Sequence, residues 1–306
     1  MQDLSKVKNA CKICKSMFYY FLVILLVASF AKSKESDAIE TYKLTHPISV
    51  SMGLEYVEFS AGNTHIGGLI SSINLRNTNI IAKYYNLEFW FKIGAGSQKV
   101  SGNYFIGSSN PLSNLTSFRG VTGMVEEFGG KFGYNITKNV EKPLFLSLGY
   151  EYSSYTHSAT YNPYSTSVSY NNFLLSLDSA MRLGSSRWSI DYTLLASYTP
   201  TIIYFSGVDI VSSTSNFLVK NIKQKSIFAH GFGIKGSVGV SYAISKNVYF
   251  FTKIIAKYQH TLPSNSTTIT TRATPSTNEV LPQASTQVAY PQASVIYAGL
   301  QFGIGF

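Results

Sequence analysis

Apolar side chains fall on every second residue over long stretches of this chain, and that period of two limits the fold more than any other feature. Leu144, Leu146, Leu148, Tyr150 and Tyr152 interleave with Ser147, Gly149, Glu151 and Ser153. Trp188, Ile190, Tyr192, Leu194, Ala196 and Tyr198 repeat the pattern, as do Phe228, Phe232, Ile234, Val238, Val240 and Tyr242. Each stretch is a strand with one apolar and one polar face, long enough to cross a bilayer when tilted.

A soluble sandwich also alternates, so the rhythm of the connections decides between the two. Short turns are expected near 77–79, 137–143, 184–187 and 245–247. Between them come long polar connections near 97–118, 157–166, 200–225 and 261–293, and a brief one near 61–64. The stretch 261–293 is rich in Thr, Ser, Pro and Ala and reads as extended. Short turns on one rim and long loops on the other are the pattern of a closed, antiparallel transmembrane β-barrel. Ten strands are expected, near 47–60, 65–76, 80–96, 119–136, 143–156, 167–183, 188–199, 226–244, 248–260 and 294–306. The fold class is all-β, with extracellular loops and periplasmic turns.

The last strand alternates to the final residue through Leu300, Phe302, Ile304 and Phe306. That ending resembles the C-terminal signal read by the barrel-assembly machinery. Tyrosines near strand ends, Tyr150, Tyr152, Tyr155, Tyr198 and Tyr258 among them, are read as aromatic girdles at the two membrane interfaces.

The only long apolar run, 17–30, follows Lys6, Lys8, Lys12 and Lys15. It has the n-region and h-region of a secretory signal peptide, with cleavage expected before Lys32 and 32–306 as the barrel domain. Cys11 and Cys14 would leave with the leader, so their spacing marks neither a metal nor a redox site. Four lysines less Asp3 account for +3 of the net +10, leaving about +7 on the mature chain. That excess is scattered. It suits anionic lipid or polysaccharide and gives no reason to expect nucleic acid.

If the apolar sets face lipid, the alternate positions face the lumen. They carry Glu55, Glu88, Glu127, Glu151, Asp178 and Asp191 against Lys92, Lys131, Arg182, Lys235, Lys253 and Lys257. Balanced charges in a narrow barrel predict a salt-bridged, largely closed interior with a structural role.

The order of pieces resembles the omptin family of outer-membrane proteases. Local likenesses lie in SSINLRNTNIIAKYYNLEFWFKIGAG (71–96), EEFGGKFGYNI (126–136) and LSLGYEYSSYTHSA (146–159). The resemblance implies a ten-stranded barrel with a cleaved signal and long external loops. Omptin catalysis is understood to use an aspartate pair by the loop after the third strand and an Asp–His dyad by the loop after the seventh. Here 89–125 contains no Asp or Glu, 158–229 contains no His, and Asp209 is the only acid of the seventh-strand loop. What the resemblance implies is therefore architecture.

His46, His65, His157, His230 and His260 are spread over five elements without metal-binding spacing and read as interfacial polar residues. No cofactor motif is present. The expected function is a cell-surface protein, antigen-like or adhesin-like, that binds a host or matrix ligand through its loops. Lys220, Lys223 and Lys225, with Arg272, are the candidate contacts for an anionic polysaccharide or lipopolysaccharide phosphates. An outer-membrane enzyme, either an omptin-like protease with relocated residues or a lipid-modifying hydrolase, with Asp209 and His157 or His260 as its candidates, and a narrow porin are the alternatives. The expected partners are outer-membrane lipid, the assembly machinery of a Gram-negative-type cell and an extracellular ligand.

Overall fold

The computed structural model describes residues 48–62, 64–82, 84–102, 119–140, 142–159, 165–184, 186–205, 210–211, 217–221, 225–245, 248–265, 267–275, 283–288 and 292–306. The expected leader, 1–31, and the cysteines lie outside them.

Ten strands close a barrel. In chain order they are β1 (Ile48–Ala61), β2 (Thr64–Ile81), β3 (Tyr85–Gly102), β4 (Arg119–Asn135), β5 (Leu144–Ala159), β6 (Ser165–Arg182), β7 (Trp188–Phe205), β10 (Lys225–Ala243), β11 (Tyr249–Thr261) and β14 (Ala293–Gly305). All ten pair antiparallel with their neighbours, and β14 closes on β1 through a register running from Ser49↔Gly305 to Ala61↔Ala293. Four further strands lie in the connections: β8 (Ile210–Val211), β9 (Phe217–Asn221), β12 (Thr267–Pro275) and β13 (Gln283–Val288). They form a second sheet in the order β13-β12-β9-β8, so the β7–β10 and β11–β14 connections are joined to each other.

Ile48 and Phe306 exchange backbone hydrogen bonds of 3.2 and 2.9 Å, which marks the end of the barrel that holds both described chain ends, here the terminal end. Connections 82–84, 136–143, 183–187 and 244–248 turn there, and those carrying the second sheet leave the opposite, loop end. The first turn differs from the one expected at 77–79. Asn77 pairs with Phe89 and Asn79 with Leu87 inside the β2–β3 ladder, and the chain reverses only after Ile81. Two asparagines are not enough to end a strand whose register continues on both sides. In the same way β3 continues to Gly102 and β7 to Phe205, through positions expected to be loop.

The alternation changes sense along the strands. At the terminal end Val50, Met52, Leu54 and Tyr56 of β1 face outward, while Ser49, Ser51, Gly53 and Glu55 face the lumen. Toward the loop end the same strand turns Val57, Phe59 and Ala61 inward and Glu58 and Ser60 outward. Other strands follow: Ile66 is buried opposite exposed His65, Val125 beside exposed Glu126, and Val168 and Tyr170 beside half-buried Ser169 and Asn171. The terminal half is thus apolar outside and polar inside, as lipid requires, whereas at the loop end β1, β2, β4 and β6 turn apolar side chains into the lumen.

Candidate functional site

The lumen has two layers. At the loop end Phe59, Ile66, Ile70, Val125, Tyr155 and Tyr170 fill it, each essentially without solvent contact. Tyr155 and Tyr170 pack edge to face at 5.8 Å, and Phe59 lies 5.6 Å from the His157 ring. Two sequence expectations are corrected here. Tyr155 is core rather than girdle, and His157 is buried rather than interfacial, its Nδ1 lying 2.7 Å from Gln98 Oε1. Both are odd positions of β5 and so face inward, whereas Tyr150 and Tyr152 are even and face out.

Below this plug lies the layer of charge. Lys257 Nζ sits 3.0 Å from both Glu127 and Glu151, bridging β11 to β4 and β5 across the barrel. Lys235 approaches the same two carboxylates at 3.7 and 3.5 Å. Lys92 pairs with Glu55 at 2.8 Å and donates to the Tyr297 hydroxyl at 2.7 Å, which in turn donates to Glu55 at 2.5 Å. Nearer the terminal end Lys131 pairs with Asp178 at 2.6 Å and with Glu88 at 3.6 Å, Arg76 with Glu88 at 3.5 Å, and Lys253 with Asp191 at 2.8 Å. Arg182 is half-buried at the terminal rim, its Nε donating to the Ser186 carbonyl at 2.7 Å.

Neutral groups complete the layer. Trp90 Nε1 donates to Glu151 at 3.2 Å over Gly129, where a Cβ would run into both the indole and the Tyr150 carbonyl. Gly129 stands between Trp90 and Glu151 in the register, so only a glycine leaves the indole its path. Asn172 donates to Glu151 at 3.4 Å and accepts from Thr199 and Gln259 at 2.7 and 3.0 Å, linking the charges to the plug. Ser147 and Ser176 donate to Asp178 at 3.2 and 2.7 Å. A cavity of about 120 Å³ remains at the terminal end, lined by Arg76, Glu88, Lys131, Asp178, Asp191 and Lys253 among others.

Sequence reasoning missed Arg76, Trp90 and Tyr297. Arg76 was lost because the turn was expected one residue later, and Trp90 and Tyr297 because an aromatic at an inward position gives no charge signal. Counting strand parity from Glu88 and Gln301 would have found the last two.

Outside the barrel His65 Nδ1 lies 2.9 Å from Ser60 Oγ and 3.8 Å from Glu58. Hydroxyl and carboxylate approach the same ring nitrogen, so this is not the relay a serine nucleophile needs, in which the orienting acid holds the opposite nitrogen. His230 and His260 sit on the outer face against Tyr198 and Tyr258, at 2.5 and 3.3 Å. Among the described residues no group of three His, Cys, Asp or Glu is placed to hold a metal ion. Asp209, Lys223 and His46 lie outside the described residues. Lys220 is in β9, directly opposite Arg272 of β12, and Lys225 opens β10 opposite Phe205. Leu300, Phe302, Ile304 and Phe306 all face outward on the last strand.

No family model matches the sequence, and no curated protein matches it significantly. Solved structures do. The outer membrane protease OmpT from Escherichia coli aligns over 89% of this chain and 100% of its own, at 9% identity and a TM-score of 0.45. The transport unit of the autotransporter AIDA-I from Escherichia coli aligns over 94% and 97%, at 6% identity and 0.38. The translocator domain of the autotransporter NalP from Neisseria meningitidis aligns over 97% and 97%, at 8% identity and 0.34. Likenesses this distant decide nothing about activity, and the barrel assignment rests on the strand pairing itself.

Proposed function

We propose that this chain is an outer-membrane barrel, exported by residues 1–31, whose lumen is a structural brace and whose working surface is the second sheet at the loop end. The apolar belt on the outer wall supports membrane embedding, and the plug of Phe59, Tyr155 and Tyr170 argues against a pore. Outer-membrane barrels carry their long connections outside the cell, which makes the loop end extracellular and the terminal end periplasmic.

The observation that carries the reading is the register of β9 and β12. It sets Lys220 directly opposite Arg272 and so brings together cationic positions from two separate connections. Two cationic residue types at neighbouring register positions suit an anionic polysaccharide or the phosphates of lipopolysaccharide.

The test is fluorescence anisotropy of labelled dextran sulfate, and separately of lipopolysaccharide, against the refolded barrel. The expected result is binding that weakens about tenfold in Lys220→Gln/Arg272→Gln, the scale of two charge-assisted contacts. Binding of the polysaccharide alone or of lipopolysaccharide alone identifies the ligand. Absence of binding, or binding indifferent to the double substitution, refutes the proposal.

A further inference from the structure

Among the described residues, the exposed side-chain charges at the terminal end are all of one sign. Lys138, Lys142 and Arg187 are exposed on the turns, and no exposed Asp or Glu lies at this end among the described residues. Glu88, Asp178 and Asp191, the acids nearest to it, are buried in the lumen and paired. In the sequence each of the four connections at this end carries Lys or Arg: Lys83, then Lys138 and Lys142, then Arg187, then Lys246, with Glu141 as the single acid.

The turn at 136–143 is fastened rather than loose. Asn135 Nδ2 donates to the Asn139 backbone carbonyl at 2.9 Å, and its side-chain oxygen Oδ1 accepts from the Thr137 hydroxyl at 2.8 Å and from the Leu144 amide at 3.1 Å. The Lys142 amide donates to the Asn139 side chain at 3.2 Å. Lys138 is held at φ 53°, a left-handed conformation that a lysine adopts only when its surroundings impose it. Both lysines are thus displayed from a fixed frame.

Just inside this basic rim runs a band of aromatics on the outer wall. Tyr85 packs on Phe132 and Tyr134 at 5.6 and 5.5 Å, and Trp188 on Tyr242 at 4.8 Å. Tyr and Trp gather at the headgroup level of a bilayer, and cations immediately beyond them meet the phosphates.

We infer that this rim is a seat for anionic glycerophospholipid headgroups of the leaflet facing the terminal end. The aromatic band fixes the depth of the barrel, and Lys138, Lys142 and Arg187 set its lipid preference. The inference rests on the membrane reading above and concerns the opposite end of the molecule from the anionic ligand proposed there.

The experiment reconstitutes the full mature barrel in phosphatidylcholine vesicles and compares spin-labelled phosphatidylglycerol with spin-labelled phosphatidylcholine at its boundary. The expected selectivity for phosphatidylglycerol is about threefold, falling toward one in Lys138→Gln/Lys142→Gln/Arg187→Gln and persisting in Lys138→Arg/Lys142→Arg/Arg187→Lys. Loss of selectivity in the unsubstituted barrel at high salt gives the same answer if the glutamine variant does not fold. Equal association of both lipids, or a preference the glutamine variant retains, overturns the inference. Heat-modifiable migration from the same vesicles tests embedding separately. A barrel that inserts without lipid preference refutes the seat alone, and one that never inserts refutes the membrane reading as well.

Discussion

Lys257→Met is the most informative single perturbation of the lumen. The ammonium lies 3.0 Å from one oxygen of Glu127 and 3.0 Å from one of Glu151, so those oxygens are no more than twice that distance apart. Removing the cation leaves two buried carboxylates repelling each other by at least about 3 kcal/mol at an effective dielectric constant of about 20. Lys235 remains within 3.7 Å and is itself mostly buried, so part of that repulsion stays neutralised. Breaking one partner out of a buried ion cluster costs about 3–5 kcal/mol, and the lower end is expected here. Neutralising the carboxylates too, in Lys257→Met/Glu127→Gln/Glu151→Gln, removes their mutual repulsion but strips Lys235 of both partners, so it should recover part of the loss. Urea unfolding in vesicles, followed by the fluorescence of Trp90 in a Trp188→Phe background, measures this. The indole donates to Glu151 and so reports on the cluster directly. With a slope of about 3 kcal/mol per molar urea, the single variant should unfold about 1 M earlier. A cost below about 1 kcal/mol, or a triple variant no more stable than the single one, would show that these contacts are incidental.

Three more predictions follow from the arrangement. Leu148→Arg, on the apolar half of the outer wall, should cost about 2–4 kcal/mol in a bilayer, whereas Thr122→Arg, outward on β4 beyond the belt, should cost less than about 1; equal costs in vesicle unfolding would refute the placement of the membrane boundary. Planar-bilayer recordings should show no steady conductance steps from the intact barrel, and Phe59→Ala/Tyr155→Ala, which removes two rings of the plug, should introduce them; steps from the unsubstituted barrel would restore the porin reading. A fluorogenic peptide library rich in dibasic sites should stay uncut by the folded barrel in lipopolysaccharide, and cleavage abolished by Asp209→Ala would mean that the omptin likeness extends to chemistry.

Much of the architecture was legible because period-two alternation carries the same information for every strand. The strand count and the outward sets on β5, β7, β10 and β14 follow from parity alone, and parity also puts Glu127 beside Lys131 on one face of β4. The turn after β2 was not legible. Asn77 and Asn79 are turn formers by type, yet Asn77 is buried within the ladder and Asn79 donates to its side chain, so tertiary pairing overrides local preference. Which charges pair was also hidden. Lys257 reaches strands 106 and 130 residues earlier in the chain, and no local pattern encodes a contact across a barrel.

The roles of Tyr155 and His157 were misread for a deeper reason. An aromatic near a strand end is girdle when it points outward and core when it points inward. A single rule of apolar outside, polar inside assigns the second case wrongly wherever the barrel leaves the membrane. The change of sense in β1, between Tyr56 outside and Val57 inside, marks where that rule stops. Beyond it β1 presents Glu58 and Ser60 outward, and the lumen is filled by apolar side chains together with the neutral polar contacts of Gln98, His157, Thr199 and Gln259. The ion pairs below and the plug above are therefore two answers to one requirement, a filled interior.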